Sequence, residues 1–251
     1  MTLPRFYCPG EIAAGRIIEL PASAAHHAAR VLRLEPGDGV VLFNGEGGEF
    51  SAIIARIGKT GAAVAIENHL AVERESPLSI TLAQAICASE KMDWIVQKAV
   101  ELGVSRIQPI AANRSLVKLA GERADKRVQH WRQVAASACE QCGRNRLPQV
   151  LPLMSLSGWL GEQMNLSKAA PRDLCFMLSP TAKKSLREFP EPPSAAALTL
   201  LVGPEGGLAP EEETAALAAG FIPLRLGGRI LRTESAALAA VAAMQALWGD
   251  Y

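Results

Sequence analysis

Apolar and polar positions alternate with a period of two through the first part of the chain, the spacing of strands with one buried face. Residues 39–43 run apolar into Asn44-Gly45, a pair that supplies the positive φ of a tight turn. The pattern resumes over residues 49–57 and 62–66, which are parted by Gly58 and Gly61. One helical stretch, residues 26–34, interrupts these strands. Together they predict a small β-barrel or sandwich-like module over residues 1–74.

The charged segment Val72-Glu73-Arg74-Glu75-Ser76-Pro77 marks a boundary, because the period changes beyond it. In residues 75–251, short apolar runs at 78–86, 106–110, 149–151, 174–178, 198–202 and 222–226 read as strands buried on both faces. Patterns of helical period stand between and after them at 91–103, 125–143, 210–220 and 233–248. This alternation predicts an α/β domain built on an open parallel sheet with helices on both faces. Residues 187–197, rich in Pro and Ala, read as a surface connection, and no internal repeat is evident.

Two glycine-bearing segments carry the chemistry. Leu201-Val202-Gly203-Pro204-Glu205-Gly206-Gly207 and Leu226-Gly227-Gly228-Arg229-Ile230-Leu231-Arg232-Thr233-Glu234 each leave an apolar strand and enter a helical pattern. Loops of this kind, leaving neighbouring strand ends, expose main-chain N–H and C=O groups to a small polar ligand, and point to a nucleoside-containing cofactor. Pro210 opens the following helix with Glu211, Glu212 and Glu213 in its first turn, which favours an uncharged or cationic ligand group over a phosphate there. Neither a Walker A sequence nor GxGxxG after an early strand is present. In the second loop Thr233 can cap the last helix, and Arg229 and Arg232 flank apolar Ile230 and Leu231.

Composition narrows the partners. The 26 Lys and Arg against 25 Asp and Glu leave a net charge of +1, so any grip on nucleic acid must come from local patches. Candidates are Arg5, Arg30 and Arg33 in the first module, and the basic run from Arg114 through Lys118, Arg123, Lys126, Arg127 and Arg132 to Arg144 and Arg146. Five cysteines without a signal-peptide pattern predict reduced thiols and a cytoplasmic location. No apolar run reaches the roughly 18 to 20 residues that span a bilayer. Cys139 and Cys142 form a CxxC inside a helical pattern without a second ligand pair, and His26-His27 lacks a metal partner in sequence, so no metal is expected.

Taken jointly, several motifs resemble the SPOUT-class RNA methyltransferases, and in particular the branch that modifies 16S ribosomal RNA. They are the Gly203-Pro204-Glu205-Gly206-Gly207 loop followed by Ile230-Leu231-Arg232-Thr233-Glu234, together with Pro4-Arg5-Phe6, His27 with Val31-Leu32-Arg33, and Gly37-Asp38. Gln97-Lys98-Ala99-Val100-Glu101-Leu102-Gly103-Val104, Glu140-Gln141, Gly143-Arg144 and Pro148 extend the resemblance over nearly the whole chain. It departs at Leu208-Ala209, where Phe-Ser is usual and a side-chain cap before Pro210 is lost, at Ser235 in place of Thr, and at Cys142 where Ser is common.

The resemblance implies a PUA-like barrel for RNA, a SPOUT domain with a deep trefoil knot, S-adenosylmethionine as cofactor, and a homodimer. It further implies methylation of N3 of one uridine in 16S rRNA of the small ribosomal subunit; the residues alone leave open another RNA or a ribose 2′-hydroxyl. Cofactor binding would fall to the first loop (Leu201, Gly203, Pro204, Glu205, Gly206, Gly207) and to Leu178 and Ser179. Leu226, Gly227, Ile230, Leu231, Thr233, Ser235 and Ala236 would complete that site. Uridine N3 carries a proton, so an arginine near O2 or O4 and a carboxylate are wanted. Arg232, Glu140 and Arg144 are the catalytic candidates, with Glu205 and Glu234 as further carboxylates. RNA contacts are expected from Arg5, His27, Arg30, Arg33 and Arg114.

Overall fold

A computed structural model describes residues 3–58, 61–169, 174–193 and 197–251. The chain forms two compact units, residues 1–75 with 136–147, and residues 76–135 with 148–251.

The first unit is built on a five-stranded sheet in the order β1-β3-β4-β5-β2. Its strands are β1 (Arg5–Tyr7), β2 (Ile17–Glu19), β3 (Gly39–Phe43), β4 (Glu49–Gly58) and β5 (Gly61–Leu70). Every pairing is antiparallel except β1 on β3, and β4 carries register shifts after Ser51 and Ile54 that bend the sheet. Alternate residues face one core of Phe6, Val40, Leu42, Ile54, Val64 and Ile66, closed by Ala24, Ala25 and Ala28. The helix expected at 26–34 starts earlier, as α1 (Ala22–His26) behind Pro21, and continues as a π-helical turn over His27–Val31. Arg33 then leaves it at φ 54, in the left-handed region.

Residues 136–147, which the sequence pattern assigns to the second domain, pack into this first unit instead. The reason is electrostatic. The Glu49 carboxylate is 7% exposed and receives Arg5 at 2.6 Å, Arg74 at 2.9 Å and the Asn145 amide at 3.3 Å. Asn145 also donates to the Val72 carbonyl at 2.6 Å, and Arg144 pairs with Glu75 through Nε at 3.0 Å. Burial alone would lift the pKa of Glu49; hydrogen bonds from Arg74 and Arg5, with their charges, outweigh it and bring it down to about 2.

The second unit is α/β. Strands β6 (Ser79–Ala85), β7 (Arg106–Ala111), β8 (Gln149–Val150), β10 (Leu174–Leu178), β11 (Ala197–Val202) and β12 (Ile222–Leu224) form a parallel sheet in the order β12-β10-β11-β6-β7-β8. Strand β9 (Met154–Ser155) also pairs with β7. Between them run α2 (Ser89–Glu101), α3 (Gly121–Cys142, whose residues from 136 on belong to the first unit), α4 (Leu156–Ala169), α5 (Pro210–Ala218) and the last helix α6 (Thr233–Trp248). Met92, Ile95, Val96, Ala99 and Val100 line the buried face of α2, which packs against α6. The connection expected at 187–197 contains residues 194–196, which lie outside the described residues, and begins within a short 3₁₀ turn, Leu186–Glu188.

Because the folded pKa of Glu49 lies below its unfolded value of 4.5, its stabilisation is complete above that pH and is lost as pH falls toward about 2. Glu49→Gln should therefore lower the unfolding midpoint near neutral pH, and the gap to the wild type should close as pH drops through that window. Equal midpoints of the two proteins near neutral pH would contradict this.

Candidate active site

The carboxyl ends of β10, β11 and β12 emerge side by side because the strands are parallel neighbours. They open into a cleft of about 460 Å³ lined by Leu178 and Ser179 after β10, Val202 and Gly203 after β11, and Leu224 and Arg225 after β12. A ligand site at the carboxyl end of a parallel sheet is where open α/β folds bind small molecules.

Two loops wall the cleft. The first follows β11. The Gly207 N–H donates to the Pro204 carbonyl at 2.9 Å, and Gly207 sits at φ +68, where a side chain would be strained. A Cβ on Gly203 would come 3.1 Å from the Leu208 nitrogen and 3.3 Å from the Gly207 carbonyl carbon, so a side chain there would press the loop's backbone outward. Ala209 offers no side-chain cap to α5; buried Glu212 satisfies the entry instead, accepting the Ala209 N–H at 2.8 Å and the Asn113 N–H at 2.7 Å. The second loop follows β12 and presents Arg225, Leu226, Gly227, Gly228, Arg229, Ile230, Leu231 and Arg232 to the cleft.

Side chains tie the loops together. The Thr233 hydroxyl donates to the Gly203 carbonyl at 2.6 Å. The Lys91 ammonium stands 3.3 Å from Glu205 in the first loop and 3.3 Å from Glu234 behind the second. Burial of Glu205 works to raise its pKa, but backbone N–H groups, including that of Ala88, and the Lys91 charge bring it below the usual carboxylate value. Lys91 is shifted upward: partial desolvation opposes its charge, and Glu234 and Glu205 overcome that. Nearby Cys87 is pushed up to about 12, first by burial and then by Glu205, so its thiol is neutral and a poor nucleophile.

Of the cofactor residues expected from sequence, Leu178, Ser179, Gly203, Pro204, Glu205 and Gly207 line the cleft from the first side. Leu226, Gly227, Ile230, Leu231, Thr233 and Ala236 line it from the other. Three do not. Leu201 is wholly buried in the sheet core, Gly206 backs onto Arg114, and Ser235 is exposed on α6. Arg232 stands at the cleft, whereas Glu140 and Arg144 belong to the first unit and have partners there. Glu140 accepts the Tyr7 N–H at 2.9 Å; burial lifts its pKa against that bond and the charges of His27 and Arg5.

Among the expected RNA contacts, Arg5 is committed to Glu49 and Asn145 and lies 5.2 Å over the Phe43 ring, with its side chain 13% exposed. Arg114 donates to the Gly206 and Leu208 carbonyls, both at 3.2 Å, and so braces the first loop. Arg30, Arg33 and His27 are exposed, the last with its ring edge-on to Phe6. Cys139 and Cys142 are free thiols, and burial pushes Cys139 up to about 12. Sequence reasoning missed Lys91 and Arg225 at the cleft, whereas Glu213, singled out for its charge, does line it. Arg225 directly precedes the second glycine loop and could have been found there; Lys91 carries no local signal, since Glu205 is 114 residues away.

Replacing Lys91 by Met should move the Glu205 titration to higher pH, followed by carbon NMR of the labelled carboxyl. An unchanged titration would mean that the ammonium does not hold this carboxylate in its charged form.

Comparison with known proteins agrees with this geometry. The RNA methyltransferase domain family matches residues 74–245, and the RNA methyltransferase PUA domain family matches residues 20–67. The chain is 33% identical to ribosomal RNA small subunit methyltransferase E of Buchnera aphidicola subsp. Schizaphis graminum, over 99% of this chain and 98% of that one. It is 30% identical to the protein of the same name in Bacillus subtilis, over 87% and 86%. A crystal structure of ribosomal RNA small subunit methyltransferase E from Neisseria gonorrhoeae bound to S-adenosyl methionine superposes with a TM-score of 0.89, at 40% identity over 100% of both chains. The cleft thus stands in a chain that belongs to the ribosomal RNA small subunit methyltransferase E family.

Proposed function

We propose that the chain is an S-adenosylmethionine-dependent methyltransferase acting on N3 of a uridine in 16S ribosomal RNA. The observation that carries this reading is the pair of glycine loops tied together by Thr233 and Gly203 over the ends of three parallel strands. The relatives' names and the S-adenosyl methionine bound in the Neisseria protein support it.

The residues present fit such a group. The cleft is of the size small-molecule sites have, roughly 300 to 1,000 Å³. Gly203 and Gly207 bring bare main chain to its first wall, and Gly227 and Gly228 do the same in the second. Leu178, Leu226, Ile230 and Leu231 supply apolar contact for an adenine, and main-chain groups of the second loop supply its hydrogen bonds. When bound, S-adenosylmethionine supplies a methyl group on a cationic sulfonium, and acidic Glu205 and Glu213 at the cleft suit that charge.

Uridine is neutral at N3, so the protein must favour loss of that proton. Arg232 is exposed at the cleft and always charged, and it would stabilise the negative charge that develops on a uracil oxygen. N3 is blocked in a base pair, so the target is unpaired or splayed out. Exposed Arg30, Arg33 and His27 lie on the first unit beside or within the segment matched by the PUA family, and they are the surface we assign to RNA.

The same reading takes the small ribosomal subunit as source of the RNA, the cytoplasm as location, and two copies of the chain as the working unit. Exposed Trp94 in α2 and Leu247 in α6 give a second copy apolar surface to cover. It also threads the last helix as a trefoil knot; the bond from Thr233 to Gly203 holds the start of α6 against the first loop.

Calorimetric titration with S-adenosylhomocysteine tests the cofactor assignment. Saturable binding is expected for the wild type and its loss for a folded Gly203→Val; no binding by the wild type, with or without small-subunit RNA, overturns the reading. Arg232→Ala should bind the same ligand within about threefold of wild type and lose roughly 10²- to 10³-fold in turnover, the scale of one removed oxyanion donor.

A further inference from the structure

Behind the cleft, Gln84 is wholly buried near the carboxyl end of β6. Its Nε2 lies 2.9 Å from the Ala85 carbonyl oxygen and 3.0 Å from Thr233 Oγ1. A carbonyl can only accept, so the atom facing Ala85 must be the amide nitrogen, and the side chain has one orientation. Its second hydrogen then goes to Thr233 Oγ1. The Thr233 hydroxyl has a single proton of its own, which it donates to the Gly203 carbonyl at 2.6 Å. The relay therefore runs one way, from Gln84 through Thr233 to Gly203.

The other end of the amide is badly served. Gln84 Oε1 is buried without a hydrogen-bond partner among the described residues. An orphaned acceptor in a core opposes folding, and such groups persist where they serve something besides stability. Gln84 lines no part of the cleft, but both residues it orients do.

We propose that Gln84 is a positioning residue for the cofactor cleft. By filling one acceptor site of Thr233 it directs the hydroxyl proton at Gly203, which sets the Gly203 carbonyl and locks the first loop to the start of α6. The inference rests on the methyltransferase reading of this cleft.

Gln84→Met tests it, since methionine keeps the length of the side chain, removes both donors and also removes the orphaned oxygen. A positioning role predicts a melting temperature equal to or above the wild type, with S-adenosylhomocysteine bound about tenfold more weakly, the scale of one hydrogen bond. Thr233→Val should weaken binding similarly and Thr233→Ser should restore it. The double variant Gln84→Met/Thr233→Val should bind no worse than Thr233→Val alone, because both substitutions break one relay. Wild-type affinity in Gln84→Met overturns the proposal, as does a drop in its melting temperature without loss of affinity, a failure to fold, or losses that multiply in the double variant. Absence of binding by the wild type itself would instead bring down the methyltransferase reading, and this inference with it.

Discussion

Three neighbouring strands that run the same way must release their chains at the same edge of the sheet. In β10, β11 and β12 this brings Leu178, Val202 and Leu224 to one end of the sheet. Something has to cover that end. Here it is the two glycine loops, and they stay open enough to admit a ligand because glycine lets the first of them fold back on itself at Gly203. The rest of the site follows from holding these loops. Glu212 and Arg114 brace the first from outside, Thr233 joins the two, and Lys91 sits between a carboxylate of each.

The first unit is held by a different interaction, a nearly buried carboxylate ringed by cationic and amide donors. Glu49 draws Arg5, Arg74 and Asn145 together from three distant parts of the chain. A carboxylate so placed is costly without its donors, so each of them is bound to a structural task. Arg5, read as an RNA contact, is thus held by Glu49, and Arg144, read as catalytic, is held in the same unit by Glu75.

Much of this fold was legible in the chain. The apolar run of β11 is nearly continuous because both faces are covered, and α2 shows its buried stripe at helical spacing. The two loops were legible because glycine marks places where the main chain turns sharply or is approached closely. What stayed hidden depends on partners far away in sequence. Gln84 reads as a polar residue of β6 like Ser79 and Thr81, and its meaning comes from Thr233, 149 residues on. Residues 136–143 continue a helical pattern, and nothing local says that Asn145, just beyond it, will serve Glu49. Leu201 was assigned to the cofactor through its main-chain atoms by its place in the motif, and its side chain packs in the sheet core.

Delivery of a methyl group from this cleft to a uracil nitrogen in ribosomal RNA can be followed directly. Small-subunit RNA lacking the modification, incubated with the chain and S-adenosylmethionine carrying a deuterated methyl group, can be digested to nucleosides and analysed by mass spectrometry. Label is expected in 3-methyluridine at a single position, and its loss with Gly203→Val. Label on a ribose hydroxyl or on another base, or none by a folded and cofactor-bound chain, would contradict it.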